Sequence, residues 1–461
     1  MKKWAAVVLS VGILAGCAVG PDYEPVQTPL SATYANASAF ENEAWVPIGH
    51  TQVPLEQPWW QLFQDPQLNR WLQELGQANL DLEQAEARYR QANASLRQAQ
   101  AGFFPTLGTQ VSGQRSGSGQ SSPADQYNLS ANVSWEPDVW GRVRRSVEAG
   151  SAQQAASAAD IAAMRLSLES TFTQSYFQAK NVRAAQLLYE RTLEAYERSL
   201  RITQNRLQVG MVSVADEAAA QSQLENARTQ ALALERQWLQ LRNAMAVLLG
   251  KAPADFELQA DEQWGVLPQV PVGVPAQLLT RRPDVMAAER RMAAANAQIG
   301  VATAAWFPNL TLSAQGGYRS GSWSDWISAP ARFWSLGPAL ALTVFDGGAR
   351  SARIREAEAS YDLQAAAYKS VVLDALREVE DALVQWHGLQ RERQSQERAV
   401  EAARRSLTLT RNQYEAGLVD YLSVVQVEAS TLSAERALLS LQSELYISSV
   451  RLLTALGGRW G

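Results

Sequence analysis

The sequence predicts a mixed fold of long α-helices and transmembrane β-strands, made from one unit stated twice and closed only when several chains combine. Three observations predict it. The first is internal repetition. Residues 79–107 read NLDLEQAEARYRQANASLRQAQAGFFPTL and residues 282–310 read RPDVMAAERRMAAANAQIGVATAAWFPNL. At an offset of 203, Ala92-Asn93-Ala94 aligns with Ala295-Asn296-Ala297, and Phe104-Pro105 with Phe307-Pro308. At an offset of 207, Val209-Gly210-Met211-Val212 aligns with Ala416-Gly417-Leu418-Val419. Self-similarity at a long fixed period marks a duplicated structural unit. The second observation is the length of the stretches without helix breakers, and the third is a set of strands with one apolar and one small-polar face.

The N-terminus comes first in order. Met1-Lys2-Lys3 is a short basic region, and Trp4 to Ile13 is mostly apolar. The apolar run is too short to span a bilayer, so residues 1–16 read as a secretory signal. Leu14-Ala15-Gly16 leads into Cys17, the only cysteine of the chain. This resembles the bacterial lipobox, in which the cysteine is lipidated and becomes the mature N-terminus; Ala18 after it implies sorting to the outer membrane. Acyl chains contribute about 0.8 kcal/mol per buried methylene, so several would anchor firmly. Residues 17–57, rich in Pro, Thr, Ser and Asn, read as an extended lipidated tether.

The body starts at residue 58 and divides into a first repeat, 58–251, a linker, 252–274, and a second repeat, 275–461. Asp65 is a good N-cap and Pro66 suits the first helical position. Leu68, Trp71, Leu72 and Leu75 follow at helical spacing. In the second copy Pro283-Asp284 plays a similar part, with a carboxylate on the positive end of the helix dipole. Residues 151–209, 211–249 and 418–456 contain neither Gly nor Pro, and 349–416 contain only Gly388. Their Ala-, Gln-, Leu-, Glu- and Arg-rich composition favours helix. A helix over 151–209 would be about 90 Å long, more than a compact globule needs.

The hairpins are expected at about 104–137 and 308–346. Tyr127, Leu129, Ala131, Val133 and Trp135 alternate with Asn128, Ser130, Asn132 and Ser134. Leu310, Leu312, Ala314 and Tyr318 alternate with Asn309, Thr311, Ser313 and Gln315; Trp334, Leu336, Leu340, Leu342 and Val344 alternate with Ser335, Gly337, Ala339, Ala341 and Thr343. Residues 106–115 alternate more weakly, through Leu107 and Val111. Segments of about ten residues with this pattern suit a membrane barrel with a wet lumen. Tyr127, Trp135, Tyr318 and Trp334 lie near strand ends, where interfacial aromatics belong. The Gly/Ser-rich connections 116–124 and 319–325 read as outer loops. Four strands cannot close a barrel, and open edges in hydrocarbon leave unpaired backbone groups, so strands must come from several chains. Two chains would give eight strands; three would give twelve, wide enough for a pore, and three is the expectation.

Composition excludes other classes. The net charge of −5 gives no electrostatic support for nucleic-acid binding. One cysteine forbids an intrachain disulfide, and two histidines, His50 and His387, are too few for a histidine-rich metal site. No nucleophile–histidine–acid set, phosphate-binding glycine loop or metal-ligand spacing is present, so an enzyme is not expected. Glu378, Glu380 and Asp381 are close in sequence, but carboxylates on a long helix are usually a solvated face.

Several short motifs, in order and duplicated, resemble the TolC-type outer-membrane factors of tripartite efflux and secretion systems, and most of all their lipidated branch. They are Trp59-Trp60 through Asp65-Pro66, Arg281-Arg282-Pro283-Asp284-Val285, Phe-Pro-x-Leu at 104–107 and 307–310, Trp135 to Gly141 with Phe345 to Gly348, and Gly-x-Val at 210 and 417. The resemblance covers nearly everything from Cys17 to Gly458. It implies a homotrimer with a twelve-stranded outer-membrane barrel continued by a periplasmic α-helical barrel. It implies a passive exit duct for small molecules, with a periplasmic adaptor (membrane fusion) protein and an inner-membrane pump of the resistance-nodulation-division type as partners. Protein (type I) secretion is the alternative cargo, and a non-pore lipoprotein stalk a more distant reading. No cofactor is implied beyond lipid on Cys17.

The resemblance puts adaptor docking at two turns, Val209, Gly210 and Met211, and Ala416, Gly417 and Leu418; glycine also simply fits a turn of positive φ. Many relatives carry an acid beyond the second of these turns, where this chain has Gln426 in Ser423-Val424-Val425-Gln426. Asp420 with Tyr414 or Tyr421, and Asp216 of the first turn, are therefore the candidate gate, since like charges converging on an axis repel. A solvated helix end is an equally good account of those acids.

Overall fold

A computed structural model describes residues 18–25, 58–119, 122–258, 264–268 and 282–458. The expected signal, Cys17 and the tether beyond residue 25 lie outside the described residues. Seven α-helices and four strands follow one another among them: α1 (Pro66–Ala78), α2 (Leu80–Ala101), β1 (Thr106–Ser116), β2 (Ala124–Trp135), α3 (Arg142–Gln208), α4 (Val214–Leu248), α5 (Pro283–Ala304), β3 (Asn309–Ser320), β4 (Arg332–Ala341), α6 (Ala349–Glu415) and α7 (Tyr421–Ala455). The duplication is exact in length for three pairs of helices. Both α2 and α5 have 22 residues, α3 and α6 have 67, and α4 and α7 have 35.

Two compact units divide these elements. Among the described residues, one lies within Met1–Thr28, Glu86–Asp160 and Met286–Val371, the other within Pro29–Ala85, Ile161–Val285 and Val372–Gly461.

The first unit holds the sheet, antiparallel throughout in the order β1-β2-β3-β4. Its helices enter the strands through matched turns. After β2, Asp138 accepts from the backbone N–H of Val143 and Arg144, at 2.8 Å each. Before α6, Asp346 accepts from Gly348 and Arg350 and from the Arg350 guanidinium. These carboxylates satisfy the amides that start a helix.

The second unit has the aromatic core. Trp59, Phe63, Leu68, Trp71, Leu72 and Leu75 bury against Phe172, Tyr176 and Phe177 of α3 and Tyr446, Val450 and Leu453 of α7. Asp65 caps α1 as its sequence predicts, accepting from Gln67 and Leu68. The same buried carboxylate takes the Tyr176 hydroxyl at 2.7 Å and lies 3.2 Å from the Lys180 ammonium. Part of the linker serves this core, through Phe256, Leu258, Trp264 and Leu267. Arg282 gives its motif a physical role: it donates to the carbonyl of Ala455, the last residue of α7, and forks onto Asp284 and Glu378. A guanidinium on the carbonyls of a helix end relieves groups that lack an intrahelical partner.

Several boundaries differ from expectation; the first loop is shorter at both ends, since Ser116 and Ala124 pair. The first long helix starts at Arg142, before residue 151, because Gly150 is tolerated where Leu96 of α2 packs within 3.4 Å of its missing Cβ. The second loop is shorter at its start, since Arg319 and Ser320 pair with Asn128 and Tyr127. Strand β4 stops at Ala341, so Leu342 and Val344 are not in it. Ala341 faces Asn309, the first residue of β3, and Pro308 before that has no N–H to extend the ladder.

Candidate functional site

The register sorts the sheet into two faces. Leu107, Val133, Ala314 and Leu336 stand opposite one another across all four strands. So do Val111, Leu129, Tyr318 and Arg332, and, on the same face, Trp135, Leu312 and Pro338. The next row along, Gly108, Asn132, Gln315 and Ser335, belongs to the other face, with Ser134, Ser313 and Gly337 beside it. Residues opposite each other in a ladder share a face, so the strand-by-strand alternation becomes continuous apolar and polar bands. On the apolar side, Trp334 is 82% exposed and Leu336 76% exposed. Tyr127, Trp135, Tyr318 and Trp334 all lie on this face, as expected. Tyr127 packs on Trp323 and Trp326 of the β3–β4 connection, with ring centroids 5.2 and 6.1 Å away. Trp135 donates its indole N–H to the Phe103 carbonyl.

The second site is a pair of turns in the other unit. At the end of α3, Gly210 has φ of +72°, its N–H bonds Leu207, and the Met211 N–H reaches back to Arg206. At the end of α6, Gly417 has φ of +74°, its N–H bonds Tyr414, and the Leu418 N–H reaches back to Gln413. Both are Schellman motifs, in which a left-handed residue lets the chain close over the helix's last carbonyls. Each turn ends in a side-chain cap. Ser213 and Asp216 form a reciprocal capping box on α4, and Asp420 accepts from the Ser423 N–H and hydroxyl on α7. Bonds from Ser423 hold the Asp420 carboxyl below the usual carboxylate range. Val209, Met211, Val214 and Leu418 are exposed apolar side chains on these turns.

Behind the turns sits a polar and aromatic cluster. Tyr414 and Tyr421 have ring centroids 5.6 Å apart, and the Arg206 guanidinium lies 5.1 Å over Tyr414. The Tyr421 hydroxyl shares a 2.8 Å hydrogen bond with Ser199 of α3, and burial raises its pKa. Three of the four expected gate residues, Tyr414, Asp420 and Tyr421, are thus neighbours, whereas Asp216 belongs to the other turn. Sequence reasoning missed the nearby Glu428, which is 6% exposed. Its carboxylate takes the Arg411 guanidinium at 2.7 Å and the Gln223 amide at 3.2 Å, so one acid joins α7 to α6 and α4. The signal was present: Tyr421, Val424, Glu428 and Thr431 form one buried helical stripe, and Glu428 is the acid on it.

Comparison with known proteins fits this geometry. The profile of the family described as "Outer membrane efflux protein" matches residues 71–251 and 274–458. The probable efflux pump outer membrane protein TtgC of Pseudomonas putida is 30% identical, over 100% of this chain and 96% of its own length. Outer membrane protein OprJ of Pseudomonas aeruginosa is 30% identical over 97% of this chain and 94% of its own. Among solved structures, the outer-membrane channel OprN superposes with a TM-score of 0.85 at 32% identity, covering 96% of this chain and 100% of that one. The open state of the Neisseria gonorrhoeae MtrE outer membrane channel superposes with a TM-score of 0.85 at 27% identity, covering 96% and 99%. With a two-faced sheet, paired helix turns and a family match over most of its length, the chain belongs to the outer membrane efflux protein family and is an efflux channel of the outer membrane.

Proposed function

We propose that three copies of this chain close one twelve-stranded barrel and one helical duct, through which small toxic molecules pass outward without a chemical step. The observation that carries this is the sheet itself. It has an apolar and a polar band, and among the described residues β1 and β4 each lack a partner on their outer side. Unpaired edges in hydrocarbon cost several kcal/mol for each backbone group, so the sheet has to meet copies of itself. The polar band then faces a wet lumen and the apolar band faces lipid.

The cargo reading draws on relatives named for antibiotic, toluene and solvent efflux. A wall that presents Asn, Gln and Ser selects by size and charge, which leaves choice of substrate to an inner-membrane pump of the resistance-nodulation-division type. A periplasmic adaptor would dock on the turns, where Val209, Met211 and Leu418 offer apolar contacts around Gly210, Ala416 and Gly417. Asp420, Tyr414, Tyr421 and Asp216 would form the constriction, with the Glu428–Arg411 ion pair as its tie. A lipid on Cys17 would complete the membrane attachment, and the reading needs neither catalytic residues nor a further cofactor.

The test is planar-bilayer recording on the purified lipidated protein, with crosslinking of the same sample. Stable conductance steps from a crosslinked trimer are expected. A silent trimer would indicate a shut constriction, to be recorded again with Asp420→Ala. A silent monomer would refute the shared barrel.

A further inference from the structure

The residues just after Cys17 were expected to begin an extended tether, yet each residue from Val19 to Tyr23 is held by a hydrogen bond. The Val19 N–H donates to the Trp140 carbonyl at 3.1 Å. Arg145 of α3, 4% exposed, donates to the carbonyls of Val19 and Gly20 at 3.2 Å each and to the Asp22 carboxylate at 2.7 Å. Its remaining nitrogen is held by Glu148 at 2.8 Å, so the fork cannot swing away. From the other side α5 contributes Asn296, 5% exposed, to the Pro21 carbonyl at 3.1 Å, and Glu289 to the Tyr23 hydroxyl at 2.6 Å. Backbone passes against backbone: a Cβ on Gly20 would lie 2.5 Å from the Gly300 Cα, and a Cβ on Gly300 would lie 2.7 Å from Arg145. A surface tether has no need of a buried arginine, a buried asparagine and a groove that only glycine leaves open.

The groove lies at the foot of the strands. Trp140, which receives Val19, follows β2; its indole N–H donates to the Pro308 carbonyl at 2.8 Å and its ring stacks on Phe307 at 4.8 Å, just before β3. Ala18, the first described residue, closes on the same point: a Cβ on Gly141, next to Trp140, would lie 2.7 Å from the Ala18 Cα.

We infer that residues 18–25 are a rigid strut seated in a groove between α3 and α5, with Arg145 as its positioning residue, and that the strut sets the lipid of Cys17 at a fixed depth relative to β2 and β3. The inference rests on the lipid proposed above. Both attachments to the membrane, acyl chains and strands, then share one frame, and the interval between them is set by hydrogen bonds and not by an average over a flexible linker. The duplicated asparagines are not used alike: Asn296 of the second repeat holds the segment, while Asn93, its counterpart in the first, makes no equivalent bond among the described residues.

The test uses the full lipidated chain with Glu24→Cys, spin-labelled at that thiol. The unsubstituted chain is the control, because label on it would refute the lipid on Cys17 separately from the strut. An immobilised spectrum is expected at Glu24, turning mobile in Arg145→Ala and in Gly300→Val, whose side chain fills the groove. A mobile spectrum in the otherwise native protein overturns the strut, whether or not either variant folds. For the depth claim, a short Gly-Ser spacer is placed between Ala18 and Val19, or after Pro25. The first should lower the yield of membrane-inserted, detergent-resistant trimer several-fold and the second should leave it unchanged. Equal yields overturn the positioning role, and normal conductance alongside them leaves the channel reading intact.

Discussion

At the scale of single residues, the acids near the turns divide by surroundings. Asp420 is exposed, and its bonds are to its own helix, where it keeps Ser423 capped. Glu428 is buried and shared by three helices. Losing Glu428 releases a tie between three helices, although its partner Arg411 is itself half exposed, while removing an exposed charge disturbs little beyond its own turn. We therefore expect Glu428→Gln to raise the leak of small hydrophilic antibiotics into an expressing strain more than Asp420→Ala does. Susceptibility measured with the pump deleted is the readout. Unchanged leak in both variants would remove this cluster from the gate. Asp420 was legible as a candidate because charges beside a turn glycine stand out in sequence. The Arg411–Glu428 contact was not, because it depends on how α6 returns against α7 after the turn.

At the scale of elements, the sheet was legible almost strand by strand, because a period of two over ten residues states which face each side chain takes. What the sequence left open was register, which aligns Leu107, Val133, Ala314 and Leu336 into a single row. The two faces make opposite demands on the same substitution. Leu336→Lys puts a charge on the lipid side, at a cost of about 2–4 kcal/mol near the bilayer midplane. Ser335→Lys, one residue away, puts it in the lumen. The first should reduce the assembled trimer seen on unheated gels; the second should assemble normally and shift the channel toward anions. Equal assembly would refute the division into a lipid face and a lumen face, and the reverse order would show the faces assigned the wrong way round. The end of β4 escaped prediction for a related reason: Leu342 and Val344 keep the alternation, but β3 offers them no partner beyond Asn309. The pinned segment 18–25 left no periodic trace at all, since Arg145 and Asp22 are 123 positions apart.

At the scale of the whole molecule, repetition explains why so short a set of motifs could specify so much chain. Each copy restates a 22-residue helix, a hairpin, a 67-residue helix, a glycine turn and a 35-residue helix. The glycines were read as turns from sequence, and both adopt the left-handed conformation that the reading required. Copies of equal length carry an obligation that neither copy has alone. Deleting one residue from a helix turns everything beyond it by about 100° and draws it back by about 1.5 Å. A loss in α3 alone would set Gly210 out of step with Gly417, whereas a matched loss in α6 would bring them back into step. Removing a heptad, about two turns, from α3 should therefore lower the yield of trimer, and removing a heptad from α6 as well should restore it; failure of the double deletion to recover would show the copies to be independent. In evolutionary terms, length is a trait the two halves inherit jointly. A lineage can lengthen or shorten this channel only by paired events, so single insertions are expected to collect in its loops and not in its long helices.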